Sequence, residues 1–577
     1  MLRKLLILVA VAGALAVPAD AAHRKASQKI VSQQLLMPDV TYERQVQFTS
    51  RGPVVLDVVT APKPDGSLYT LGPGLAHGAL LGTEPLTGIE KDASGAATVV
   101  GVNGDFFAGN GPPTGIVMRG GALAAAPVTS RSSLAVGADG TLTVARVAFD
   151  GTWRGTGQRR QLDLNDPPVS GHTTLYTPAW GGATPAEDGV VEDVIDSLPA
   201  LQPNAVTSGV VTQVNGAGGT PIPPGGAVLV ARGAQAPHLS AEAPTGTNVE
   251  IRPTLTPSWN GRLAAIGGGP LLVAGGKAVF RANESFNDSV LNARDARSAV
   301  GQLADGRIIL VTVEGGGSAY SAGMTSYELA VALVHLGAVT AMGLGNGPAA
   351  GMAFDGTLLT RPSKKVEQPI GDALLLSYTG VYAAPPSSDV VSPNGDGVDD
   401  TETFAYKLVA PSQVTATLTG PGGAHLTLAQ DAEDPGVHTL AWNGQPSTEG
   451  QWKFVVSGTE TGGRTTTAER DVLLDQTLGG LTAQPANGHI AAKAKAVVTA
   501  SFQLVHPATV TATIETRTGI VLATLANNRL QPGAQSLPWN GRLWTGSLAF
   551  TGAYQVHVVA TNSIGSVSLV APFIARR

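Results

Sequence analysis

Tyr406-Lys-Leu-Val-Ala-Pro411 followed by Val414-Thr-Ala-Thr-Leu418 returns later in the chain as Phe502-Gln-Leu-Val-His-Pro507 followed by Val510-Thr-Ala-Thr-Ile514. Each copy runs on to a Trp-Asn-Gly turn, at Trp442-Asn443-Gly444 and Trp539-Asn540-Gly541, and then to an alternating stretch, Gln451 to Ser457 and Ala553 to Ala560. Short β-rich runs with period-two alternation, punctuated by turn residues, predict two small antiparallel β-sandwiches. Asn-Gly supplies the positive φ of a hairpin turn, and the tryptophan is expected to plug each core.

The repeats resemble the FlgD-like immunoglobulin-type modules appended to exported bacterial proteins. The marker is Ser392-Pro-Asn-Gly-Asp-Gly-Val-Asp-Asp400, which leads into the first copy. Its alternating oxygen side chains make Asn394, Asp396 and Asp400 candidate ligands for a calcium ion, with Asp399 and Glu402 nearby. Ser392 stands where a calcium loop opens with Asp, and Thr403 where it closes with Glu, so a chain of Asx turns is the competing reading. The expected modules span 389–476 and 477–577, after a Pro/Ser linker at 379–388.

The N-terminus carries an export signal's pattern: Arg3 and Lys4, an uncharged apolar run from Leu5 to Val17, then Ala19-Asp20-Ala21. A signal peptide is therefore expected over 1–21, with the protein secreted or held at the cell surface. The 577 residues contain no cysteine, which excludes disulfides, thiolate metal sites and cysteine nucleophiles. The formal charge of −6 with no Lys/Arg block argues against a nucleic-acid partner. The scattered histidines show no zinc-ligand spacing.

Between them, residues 42–378 form a Gly-rich, strand-rich block with one clear helix. Val54–Val59, Ala97–Val102, Val206–Val214, Ala227–Ala231 and Arg307–Val313 read as strands. Thr325 caps a helix running to His335, Glu328 completes a capping box, and Gly337 stops it. Leu329, Ala332, Leu333 and Leu336 form its apolar stripe. Strand, Gly-rich loop, helix and strand suggest a βαβ unit. The chain as a whole is expected to be α+β, with a strand-rich, catalytic-type N-terminal domain ahead of the sandwiches.

An ordered series of motifs gives this block a family resemblance. It runs Asn103-Gly-Asp-Phe-Phe107, Pro113-Thr-Gly115, Leu175-Tyr-Thr-Pro178 with Trp180 and Thr184, Thr207-Ser-Gly209, Ile266-Gly-Gly-Gly-Pro270, Arg297-Ser-Ala-Val-Gly301, Gly323-Met-Thr325 and Glu328-Leu-Ala330. The block resembles the phosphodiester glycosidases, which hydrolyse a sugar-1-phosphodiester to a sugar and a phosphomonoester. The resemblance implies a carbohydrate or phosphoglycan substrate and no required cofactor. It makes Asp105 and Glu314 candidate catalytic carboxylates, with Asn103 placing a substrate oxygen. Arg297 is the candidate bidentate phosphate ligand. Ser298, Thr325 at the helix N-terminus and Asn346 are further binding candidates. The family's Asn-Leu-Asp-Gly-Gly-Gly-Ser corresponds to Gly343-Leu344-Gly345-Asn346-Gly347-Pro348-Ala349, with Gly345 in place of the Asp and Ala349 in place of the Ser. Gln368 replaces an expected Arg. These losses suggest a catalytically impaired, glycan-binding surface protein as the alternative. The sandwich modules suggest association with the cell envelope.

Overall fold

The computed structural model describes residues 28–577 except 110, 168–170 and 318; the expected signal peptide lies outside the described residues. The chain divides into two compact units, Met1–Thr379 and Gly380–Arg577. Strands hold 53% of residues and helices 8%, so the fold is mostly β, where the sequence suggested α+β.

In the first unit the elements that position the site are β1 (Val40–Thr49), β2 (Gly52–Ala61), β3 (Tyr69–Leu75), α1 (Leu86–Ser94), β4 (Thr98–Asn103), β5 (Arg262–Gly267), β6 (Arg297–Leu303), β7 (Ile308–Val313), α2 (Ser326–His335), β8 (Ala338–Asn346), β9 (Met352–Phe354) and β10 (Asp372–Tyr378). An eight-stranded sheet contains the run β1-β2-β7-β6-β8-type order with β2 beside β7 and β6 between β7 and β8. Every pairing in that run is antiparallel. β7 and β8 are thus parallel to each other but do not pair, because β6 lies between them. The expected βαβ unit is present in this split form.

β7, Ile-Ile-Leu-Val-Thr-Val, is buried throughout, as a central strand covered on both faces should be. The helix α2 forms as its sequence requires. Thr325 Oγ1 accepts from Glu328 N at 3.2 Å, and Glu328 Oε2 accepts from Thr325 N at 2.8 Å. Leu329, Ala330, Ala332 and Leu333 pack with Val54, Val311 and Leu272 in one core. Leu336 is only partly buried, since it sits at the C-cap. A second, five-stranded sheet places β4 between β9 and β10, with β3 on the edge beyond β10. A closed seven-stranded barrel, built from strands between Ala148 and Thr256, was not anticipated. Its closing contacts join strands distant in sequence.

In the second unit each repeat makes one three-stranded and one five-stranded sheet, in matching strand order. Trp442 and Trp539 are buried within the cores that the two sheets share. Their indole N–H groups donate to Gln445 O at 2.8 Å and Arg542 O at 2.9 Å. Gly444 and Gly541 take positive φ as expected. The turn is no hairpin, however: Gly436–Trp442 and Gly450–Glu460 belong to different sheets. The expected linker is also largely structured. Tyr382–Ala383 pairs with Glu402–Leu408, and Glu402 accepts from Ser387 N, Ser387 Oγ and Ser388 N. The reason is the apolar Val381-Tyr382-Ala383, buried in the first sandwich.

Candidate functional site

β4 and β8 belong to different sheets, and their C-terminal ends meet. Gly345 N donates to Gly104 O at 2.8 Å. Asn103 bridges the seam, donating from Nδ2 to Gly345 O at 2.9 Å and accepting from Gly351 N at 3.2 Å. Arg297, at the start of β6, stands opposite Asn346 in register. The ends of β4, β6 and β8 therefore converge. The side chains, however, are put to different uses from those expected.

Asn103 is buried and spent on backbone. Arg297 is 3% exposed. Its Nε donates to Met324 O, its Nη1 to Ser326 Oγ at 3.1 Å and its Nη2 to Ala293 O at 2.6 Å. Burial lowers its pKa to about 10, against the opposing charges of Asp295 and Glu328. The guanidinium clamps the turn before α2, and the cavity beside it is only about 10 Å³, smaller than a phosphate group needs. Thr325 is consumed by its cap. Ser298 Oγ lies 3.3 Å from Thr312 Oγ1 within the sheet. Asn346 is half-buried and precedes a short turn, Gly347–Ala349, without capping it. Gly345 is dictated by space: a Cβ there would lie 2.9 Å from Asn103 Nδ2 and 3.2 Å from the Gly104 and Asp105 carbonyl oxygens.

Glu314 sits at the end of β7 in a separate buried network. Its Oε1 accepts from Arg44 Nη2 at 2.6 Å and Arg361 N at 2.8 Å. Arg44 Nε also donates to Asp57 Oδ1 at 2.9 Å, and Tyr42 Oη donates to the same oxygen at 2.6 Å. Burial, opposed by Arg44 and reinforced by Glu314, pushes Asp57 up to about 7.

Asp105 has the strongest chemical character of the expected residues. Its side chain is fully buried. Oδ1 accepts from Phe106 N at 2.7 Å. Oδ2 packs where a Cβ on Gly115 or Gly267 would come within 2.6 or 2.2 Å, and it makes no hydrogen bond of good geometry. Those two positions must be glycine for the carboxyl to fit. Burial pushes Asp105 up to about 6; the Arg131 charge and hydrogen bonds at Phe106, Gly115 and Thr114 oppose the rise.

Two partners were missed in the sequence. Asp372, the first residue of β10, accepts from Asp105 N at 2.8 Å. It is buried, with its pKa well above the usual carboxylate range through burial and then the charge of Asp105. Its signal was a lone Asp opening the apolar run Ala373–Leu376. Arg131 places Nη1 3.9 Å from Asp105 Oδ1 and bonds Thr114 Oγ1 through Nη2. Its guanidinium lies 5.5 Å from the ring centres of both Phe106 and Phe286. Within Thr129-Ser-Arg-Ser-Ser133 nothing distinguished it.

In the Ser392–Asp400 loop the expected calcium ligands accept backbone N–H groups. Asn394 Oδ1 takes Asp396 N, and Asp396 takes Val398 N and Gly480 N. Asp400 takes Gly395 N and Gly397 N. This is the Asx-turn arrangement.

Residues 203–377 match the family model described as phosphodiester glycosidase. That span holds Arg297, Glu314, Asn346 and Asp372, whereas Asp105 and Arg131 precede it. Over 88 residues the chain is 32% identical to the SPbeta prophage-derived uncharacterized protein YomE of Bacillus subtilis (strain 168). That match takes in 15% of this chain and 14% of the length of that relative. Similar solved structures include a hypothetical protein from Synechocystis, at 27% identity and TM-score 0.49, covering 59% of this chain and 62% of that one. A putative exported protein from Burkholderia pseudomallei K96243 has 24% identity and TM-score 0.46, covering 56% and 74% respectively. The catalytic domain of zebrafish N-acetylglucosamine-1-phosphodiester alpha-N-acetylglucosaminidase has 13% identity and TM-score 0.32, covering 62% and 90%.

Proposed function

We propose that the first unit is an exported hydrolase of phosphodiester glycosidase type, cleaving a sugar-1-phosphodiester in cell-wall or extracellular glycans, with Asp105 as its acid. The observation that carries this reading is a buried carboxyl raised to about 6 beside a cation. A group with that pKa holds a useful fraction of protons near neutrality and can still release them. Arg131 replaces Arg297 as the phosphate ligand. It stands off Asp105 rather than closing on it, and the half-buried Phe106 and Phe286 flank it. In the reaction, water adds to the anomeric carbon and the bond from that carbon to the phosphate oxygen breaks. Asp105 supplies a proton to the departing oxygen, and the proton lost by the water restores the acid. No cofactor is needed. A calcium ion at Asn394, Asp396 and Asp400 would have to displace the backbone N–H groups those oxygens now accept.

The leader pattern of residues 1–21 supports export. The repeated sandwiches support FlgD-like immunoglobulin-type modules that hold the protein at the envelope. The test is release of product from p-nitrophenyl-linked and UDP-linked sugar phosphodiesters. Wild type should exceed the Asp105→Asn variant by about a hundredfold or more; equal rates would end the proposal.

One observation favours a second reading, glycan binding without turnover. An acidic side chain at Gly345, as in the family loop, would crowd Asn103 Nδ2 and the Gly104 and Asp105 carbonyl oxygens. The cavity beside Pro348–Gly351 is only about 10 Å³. Retention on a glycan array with no turnover on any retained ligand would establish that reading.

A further inference from the structure

β3 ends in a short turn, Ala76–Gly78, and α1 begins eight residues later. The turn holds His77 at φ 52° and ψ 24°, the left-handed region that His, Asn and Asp enter more readily than other residues with a Cβ. His77 N donates to Glu84 Oε2 at 3.1 Å, and His77 Nδ1 lies 3.6 Å from the same oxygen. Glu84 folds over the first turn of α1, where a Cβ on Gly88 would come within 2.4 Å of its Oε1. Asp92 lies one turn further along the same helix face. Ligand atoms of His77, Glu84 and Asp92 all lie within 4.8 Å of one another.

Two of the three border a groove of about 610 Å³. His77 and Asp92 line it directly, together with the Gly72–Leu75 stretch of β3 and Arg119. None of these residues takes part in the Asp105 site.

We propose that His77, Glu84 and Asp92 bind a divalent transition cation of the zinc class at the edge of this groove. One imidazole and two carboxylates suit such an ion better than calcium, which prefers an all-oxygen shell. Two ligands of one zinc stand about 3.4 Å apart at bond lengths near 2.1 Å. The His77–Glu84 pair already has that spacing, and rotation of the exposed Asp92 side chain completes the set. Three protein ligands leave a coordination position open toward the groove, where an oxygen ligand would sit.

The experiment is calorimetric titration of the full chain, first stripped with EDTA, with zinc chloride and separately with calcium chloride. Zinc is expected to bind one site per chain. His77→Asn, chosen because Asn accepts left-handed backbone, and Asp92→Asn should each weaken it about tenfold or more. Circular dichroism confirms that the variants fold. No zinc heat in wild type, or equal zinc affinity in wild type and both variants, overturns the site. Tighter binding of calcium than zinc overturns the assigned cation class. The result is independent of the hydrolase reading, because Asp105→Asn should bind zinc as wild type does.

Discussion

At the end of β7, Arg44 sits between two carboxylates, 2.6 Å from Glu314 and 2.9 Å from Asp57. Beyond the end of β4, Arg131 faces one carboxylate, Asp105, from 3.9 Å. Both arginines are mostly buried, and both clusters contain a carboxyl with a raised pKa. They differ in what the cation has left to offer. Arg44 also donates to Leu359 O at 3.0 Å, so it is engaged by three partners and ties together residues from separate strands. Arg131 keeps its distance from Asp105 and otherwise rests on two aromatic faces and a hydroxyl. Its contacts with two carboxylates and a carbonyl make Arg44 scaffold. On the proposed function, the stand-off leaves Arg131 for the anionic substrate.

The largest effect should therefore come from breaking the scaffold. Arg44→Met strands two buried carboxylates and should cost about 3–5 kcal/mol in denaturant unfolding at pH 7. Arg131→Met strands one and should cost closer to about 1 kcal/mol. The reverse order would mean that Arg131, and not Arg44, is the structural cation.

This contrast was not legible in the sequence, for a concrete reason. Glu314 and Arg44 are 270 positions apart, and no local pattern marks two residues as partners at that distance. Glu314 consequently looked like a catalytic carboxylate, and Arg297 like a phosphate ligand. What could be read were features written locally. The cap at Thr325 and Glu328, the stop at Gly337 and the repeat of the sandwiches all appear where their residues placed them. Asp105 was also readable, because Asn103-Gly-Asp-Phe-Phe107 announces a constrained turn. Arg131 and Asp372 come to it from other strands and carried no comparable mark. The barrel escaped for the same reason as Glu314: its closure depends on pairings between distant strands.

A smaller effect separates the buried acid from an ordinary turn residue. In the folded protein Asp105 titrates at about 6, against 3.8 for an unperturbed Asp. The folded state therefore holds the proton more tightly than the unfolded state. Ionised Asp105 costs stability above about pH 6, and the cost disappears as pH falls toward 3.8. Asp105→Asn should then be more stable than wild type at pH 7, on the order of 1–3 kcal/mol. The advantage should shrink on going to pH 4.5. Denaturant curves of both proteins at the two pH values measure it. An advantage that does not change with pH would show that Asp105 is not the group titrating.

The finest test asks whether the stand-off of Arg131 matters to chemistry. Its charge holds Asp105 below the pKa that burial alone would impose. Arg131→Gln removes that charge, so the Asp105 pKa rises. An acid works in its protonated form, so the rate should fall as pH rises through about 6 in wild type. In the variant that fall should move upward, by about one pH unit or less. KM should increase as well, because the phosphate loses its cation. The two readouts separate the roles. A raised KM with an unmoved pH midpoint would keep Arg131 at the phosphate and dismiss Asp105 as the acid. A moved midpoint with unchanged KM would keep the acid and remove Arg131 from the substrate. If neither changes, the Asp105–Arg131 pair is scaffold like the Arg44 cluster, and the distinction between the two clusters fails.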